Sequence, residues 1–315
     1  MCPGPFRVPT AATVRRVQHI RRQLVVLLLI AVSCGDAPTG GQSAAPAMTN
    51  PLVVEPLQYR DDVVANQMQL QVTNGLAEAL PVTGVQFLWS GFSTPVIARQ
   101  LTINPGQRVD LPVPLPAPTC TINGTNVAPA PALTEASVHF TLADGTDRTA
   151  AVIGDEGILT GIYETGCEQQ MVQQHASITF ADVRVATIAD RPLSVGVLRV
   201  TRVSGTETIT VLSAGDTIPF TLLFPAAATN GPLAQLATDS TEVEIGVYFA
   251  EGRCDAHAVA EAKQPFRFVL QVDLGDGVTR PLVVEPDQLL HTQMLATVAQ
   301  GCAALELDGT LQPGA

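Results

Sequence analysis

Lysine is almost missing from this chain: Lys263 stands alone against 16 arginines, and the 17 basic residues face 29 acidic ones for a net charge of −12. All the acidic residues lie at Asp36 or later, while five basic ones (Arg7, Arg15, Arg16, Arg21, Arg22) lie before it. From Asp36 onward the balance is therefore 12 minus 29, or −17. Charge of that sign opposes phosphate backbones and anionic headgroups, which argues against nucleic acid as a partner and against electrostatic docking on a membrane. Aromatic residues make up only 4%, a thin supply for a module that stacks rings on glycans. There is no Gly-x-Ser-x-Gly, Ser-x-x-Lys, His-Glu-x-x-His or phosphate-cradling glycine loop, so the familiar hydrolase signatures are absent. His139, His175, His257 and His291 are scattered, as are Met48, Met68, Met171 and Met294, and no Cys-x-x-Cys occurs. Spacing thus names no metal site, no cofactor and no catalytic residue.

Long apolar runs are lacking too. Leu24 to Val32 is nine residues, against roughly 20 for a helix that crosses a bilayer. With Arg21-Arg22 before it, the run reads as a removable signal core. The arginine pairs sit in no full twin-arginine motif, so ordinary secretion is the reading, with translation starting at Met1 or further in, near Val14 or Val17. Ala31-Val32-Ser33-Cys34 resembles the lipobox of bacterial lipoproteins. That resemblance implies acylation of Cys34, cleavage before it, and a mature protein held at the bacterial cell membrane by lipid. Gly35 to Asn50 (GDAPTGGQSAAPAMTN) follows as a spacer without apolar period, the composition of a flexible tether.

Two of the six cysteines, Cys2 and Cys34, belong to the leader and the acylation site. The other four fall into two pairs of matching separation: Cys120 to Cys167 is 47 positions and Cys254 to Cys302 is 48. Each interval contains Asp-Gly-x-x-Arg, as Asp144-Gly145-Thr146-Asp147-Arg148 and Asp276-Gly277-Val278-Thr279-Arg280. An alternating strand precedes each motif (Val138, Phe140, Leu142; Leu270, Val272, Leu274), and each interval ends in Gly-Cys. Further upstream, Leu80–Val85 is matched with Leu193–Val197, and Leu101–Leu111 with Ile209–Phe220. The second copy has an insert near 226–240 and an extra alternating run at Val243, Ile245, Val247 and Phe249. Together these features place two copies at 54–168 and 176–310, joined by a polar linker at 169–175, with 1–33 as signal peptide and 34–53 as lipidated cysteine and linker. A duplication selects the pairing Cys120–Cys167 and Cys254–Cys302 among three connectivities. The alternative is free thiols binding a metal, for which the sequence offers no Cys-x-x-Cys and no paired histidine.

The dominant period is two, the mark of half-buried strands, and Asn74-Gly75, Pro105-Gly106, Asp144-Gly145 and Asp276-Gly277 punctuate it as turns. Residues 158–163 and 289–298 are read as strands. Seven or eight short strands in about 115 residues predict an antiparallel sandwich. The chain thereby resembles the immunoglobulin-like modules of bacterial surface proteins, through its strand rhythm and phrases such as Leu70-Gln71-Val72-Thr73-Asn74 and Ile103-Asn104-Pro105-Gly106. The fold class expected is all-β, two tandem immunoglobulin-like antiparallel sandwiches.

Several residues have two readings. Asp144, Asp147, Asp273 and Asp276 offer oxygen ligands for calcium, or cap backbone amides in their turns. Arg148 and Arg280 bind an anion, or pair with a local carboxylate. Trp89 shares a strand face with Phe87, as a buried pair or as an exposed platform. The carboxylate pairs Asp61-Asp62 and Asp155-Glu156 are read as solvated loop residues. The function these features point to is a non-enzymatic, lipid-anchored, extracytoplasmic protein that displays or binds an envelope protein or glycan. The rival is a carrier of a ligand, calcium or copper, using a crevice around Glu168 to His175 or the Asp-Gly-x-x-Arg loops. An enzyme without a recognisable motif is a third option.

Overall fold

Where apolar and polar residues alternate, strands form with one face turned inward. A computed structural model describes residues 52–154, 156–188, 191–224 and 231–307; the signal segment, Cys34 and most of the expected tether lie outside them. In the first half, β1 (Leu52–Leu57), β2 (Gln67–Asn74) and β6 (Arg108–Pro114) form an antiparallel sheet in the order β1-β2-β6. The facing sheet has the order β10-β9-β3, from β3 (Leu80–Trp89), β9 (Ser137–Leu142) and β10 (Asp147–Ala151). On the other side of β3 lie β4 (Phe92–Ser93) and β5 (Ile97–Ile103). Met68, Leu70 and Val72 of β2, Leu111 and Val113 of β6, and Val138 and Phe140 of β9 are all buried between the sheets. A two-residue-stranded hairpin, β7 (Ile122–Asn123) with β8 (Asn126–Val127), projects from the loop that follows.

The second half repeats this order. β11 (Ala176–Ile188), β12 (Arg191–Arg202) and β16 (Glu242–Glu251) align as β11-β12-β16, and β13 (Ile209–Ala214), β15 (Ala234–Leu236), β17 (Phe268–Asp273) and β18 (Thr279–Val284) as β18-β17-β13-β15. The fold is all-β, in antiparallel sheets with few helices. By sheet position β3 answers to β13, and β12 to β2, so the upstream matches of Leu80–Val85 with Leu193–Val197 and of Leu101–Leu111 with Ile209–Phe220 are out of register. The supernumerary strand is β14 (Phe220–Leu223), added at the edge beside β16, and not the run at Val243–Phe249, which is β16 itself. Generic alternation and glycine turns recur in every strand pair, and for that reason they cannot fix which pair matches which.

The two segments read as strands are helices: α2 (Glu156–His175) and α4 (His291–Leu307), longer than α1 (Arg60–Val64) and α3 (Ala256–Ala260). In α4 the buried residues Met294, Thr297, Val298, Gly301 and Cys302 follow the i, i+3, i+4, i+7, i+8 stripe of a helix face. In α2 the glycines and β-branched residues of its first turns have poor helical propensity, and packing of Leu159, Tyr163, Cys167 and Met171 at four-residue steps decides the outcome. The expected linker at 169–175 is the second half of this helix, with Met171 and Val172 buried. The described residues belong to one compact unit by their contacts, containing two hydrophobic cores. Leu159, Tyr163 and Cys167 belong to the first, and Met171 and Val172 to the second. A continuous helix thus enters both cores.

Both expected disulfides form, Cys120–Cys167 and Cys254–Cys302, with Cα separations of 5.5 and 5.4 Å. Each ties the loop after the third strand of one sheet (β6, β16) to the helix that closes the half. The glycine before each helical cysteine has a steric cause. A Cβ on Gly166 would stand 2.7 Å from Pro118 Cγ, and one on Gly301 would fall on the Glu251 carboxylate. Glycine lets each helix approach close enough for the bond to close.

Candidate functional site

The Asp-Gly-x-x-Arg motif builds the same turn twice and then diverges. Gly145 and Gly277 have φ of +81° and +77°, the left-handed region that glycine alone enters without strain. Asp144 accepts hydrogen bonds from the amide and hydroxyl of Thr146 at 2.9 and 2.7 Å, and Asp273 accepts from the amides of Gly275, Asp276 and Gly277 at 2.8–3.2 Å. These carboxylates cap backbone amides, and among the described residues no three His, Cys, Asp or Glu side chains gather as a metal site. Arg148 is an exposed side chain 3.9 Å from Glu78. Arg280 is buried: it donates to Asp276 from both terminal nitrogens, to the Val278 carbonyl at 3.0 Å, and to the Thr125 carbonyl at 3.0 Å. The guanidinium beside Asp276 holds that carboxyl far below the usual carboxylate range.

Thr125 lies in the turn of the β7–β8 hairpin, so Arg280 joins the first half to the second. Ile122 and Val127 of the hairpin pack on the second core around it. Burial raises the Glu168 carboxyl on α2, with the nearby Arg280 charge opposing the shift. The stretch Glu168 to His175, proposed as a ligand crevice, is therefore a helix seated in the joint between the halves, capped where His175 Nδ1 meets the Met171 carbonyl at 2.9 Å. Sequence alone gave no sign of the hairpin's role, since β7 and β8 are two residues each.

The remaining expected site residues are structural. Trp89 and Phe87 are buried, with Trp89 Nε1 donating to the Ala132 carbonyl at 3.2 Å and its ring edge-on to Phe92 and Tyr163. Asp61-Asp62 lies on α1 and not in a solvated loop. Asp62 is buried and accepts from the Tyr59 amide at 2.9 Å and from Gln67 and Gln69 side-chain amides at 2.8 and 2.6 Å. Burial alone would raise its pKa, but these donors outweigh it and lower the carboxyl below its ordinary value. The pair Asp155-Glu156 lies outside the residues whose side chains are described.

Among the described residues, hollows lie in a cleft along the joint. Three hollows of about 680, 670 and 480 Å³ all share Val63 of α1 and Arg267. One end carries Arg60, Arg253 and Lys263, and the other Leu115, Pro118 and Ile162. Gln169 is the residue of the Glu168–His175 stretch that reaches it. Composition could not have revealed this cleft, because its walls come from α1, α2 and the loops around β14 and β17.

No family model matches the chain, and no curated protein matches it. Among solved structures it is similar to a protein of unknown function from Porphyromonas gingivalis W83, at 10% identity over 75% of this chain and 99% of that one, with a TM-score of 0.19. It is also similar to an exo-chitosanase from Amycolatopsis orientalis, at 9% identity over 75% of this chain and 27% of that one, again with a TM-score of 0.19. At these values neither likeness informs the fold or the function.

Proposed function

We propose that this is a non-enzymatic, lipid-anchored, extracytoplasmic binding protein of the bacterial cell envelope, made of two immunoglobulin-like modules that arose by duplication. The observation that carries the reading is the pair of disulfides, each fastening a closing helix to its own sandwich. Such bonds persist in oxidising compartments and not in the cytosol. Among the described residues no helix is long and apolar enough to cross a membrane; in this reading attachment is by acylation of Cys34. The repeated strand order and the repeated Gly-Cys closure support the duplication. The seven strand positions that the two halves share, three in one sheet and four in the other, with β4 added in the first half and β14 in the second, support the immunoglobulin-like reading. The cleft at the joint, built from both modules, is where a partner would seat.

Metabolic labelling with radioactive palmitate tests the anchor. Label enters the wild-type protein and fails to enter Cys34→Ala, which accumulates in the soluble extracytoplasmic fraction. Equal labelling of the two proteins would falsify the anchor.

A further inference from the structure

Ten of the 12 basic side chains beyond Asp36 fall into two groups, and the other two, Arg108 and Arg148, donate no side-chain hydrogen bond among the described residues and lie outside the hollow described below. Arg99, Arg184, Arg191, Arg199, Arg202 and Arg280 spend their guanidinium donors on carboxylates or carbonyls of the chain. Arg60, Arg253, Lys263 and Arg267 donate no side-chain hydrogen bond among the described residues, and all four line the same 680 Å³ hollow. Their nearest carboxylates are loose: Asp255 is 3.7 Å from Arg253, Asp61 is 3.9 Å from Lys263 and Glu285 is 3.7 Å from Arg267. Arg60 has no carboxylate within 4.0 Å among the described residues. The only acidic residue in the lining, Asp216, already accepts the Leu222 amide at 2.8 Å.

Four cations with unused donors face one open groove, drawn from the 12 basic residues beyond Asp36. Among the described residues the groove has no aromatic wall, so its chemistry is charge and hydrogen bonding and not stacking. Guanidinium forks match the paired oxygens of carboxylate and phosphate. The net charge of the whole protein does not forbid an anion here, because at physiological ionic strength charges beyond about 8 Å are screened and the near cations dominate. Gly252, whose Cβ would stand 2.7 Å from the Ile218 carbonyl oxygen, keeps the backbone tight below Arg253 and fixes that side chain's origin on the groove wall.

We propose that this groove binds a multivalent oxyanion, a ligand segment presenting two or more phosphate or carboxylate groups. The proposal rests on the binding-protein reading above but not on the lipid anchor: failure of palmitate labelling leaves the groove's affinity in place, and absence of anion binding leaves the anchor in place. The test is calorimetric titration of the full-length protein in neutral detergent with tripolyphosphate and, separately, with citrate. Saturable binding of at least one is expected, the stronger of the two telling phosphate from carboxylate, with at least tenfold weakening between 50 and 300 mM salt. Arg60→Gln and Lys263→Gln each weaken it about fivefold, while Arg148→Gln, equally without a hydrogen-bonded partner but outside the groove, leaves it unchanged. Unaltered melting curves for Arg60→Gln separate lost binding from lost folding. No saturable binding of either anion, or affinities in the groove variants equal to wild type, overturns the proposal.

Discussion

Arg280 and Thr125 stand 155 positions apart in sequence and meet through a 3.0 Å hydrogen bond from the guanidinium to the carbonyl. Asp276 holds the same guanidinium from the other side, and the Arg280 side chain is 4% exposed. Replacing it with alanine strands the partly buried Asp276 and the hairpin carbonyl together. Arg280→Ala is expected to destabilise the fold by about 3 kcal/mol. Its motif counterpart Arg148, exposed beside Glu78, is expected to change stability by less than about 0.5 kcal/mol when replaced. Urea denaturation of the two variants checks the contrast, and equal effects would show that the joint does not depend on Arg280.

Two glycines five positions apart in α2 have opposite roles. Gly161 has nothing within 4 Å of where a Cβ would stand, while Gly166 has Pro118 there. Gly161→Ala is expected to stabilise by about 0.5–1 kcal/mol through helix propensity. Gly166→Ala and Gly301→Ala are expected to destabilise despite the same propensity gain, the first by pushing α2 off Pro118 and the second by displacing the Glu251 carboxylate from its bond with Arg191. Thermal melts of the three variants decide the signs.

Each disulfide closes a loop of 47 or 48 positions, worth about 4 kcal/mol in the chain-entropy model. Reduction with dithiothreitol should lower the melting temperature sharply. The paired substitution Cys254→Ala with Cys302→Ala should remove roughly half of that drop, and a melting temperature indifferent to reductant would contradict it.

Acid should unfold the protein partly through Asp62. Its folded carboxyl titrates below its ordinary value, so its stabilisation is fully present above the unfolded value of about 3.9. That contribution is lost as pH falls through the lower folded value. Asp62→Asn presents an amide to the three donors now satisfied by carboxylate, and is expected to cost about 2 kcal/mol at pH 7. It should also flatten the fall of stability below about pH 4, as denaturation midpoints followed from pH 7 to pH 2 will show.

The sequence by itself determined the strands, the turns and the cysteine pairing, because these are local or counted quantities. Period-two alternation buries one face wherever a second sheet arrives, Asp-Gly admits positive φ in any context, and matched spacings near 47 single out one connectivity. Only the tertiary structure decided that 156–175 is a helix, since its propensity is poor and the stabilising burial comes from two cores that a local window does not see. The 3.6 period of Met294, Thr297, Val298 and Cys302 was present in the sequence, yet likeness to the misread segment hid it. The different fates of Arg148 and Arg280, the burial of Asp62 and the gathering of four open cations in one groove were likewise invisible. Each depends on which distant backbone arrives beside the side chain, and identical motifs carry no record of that.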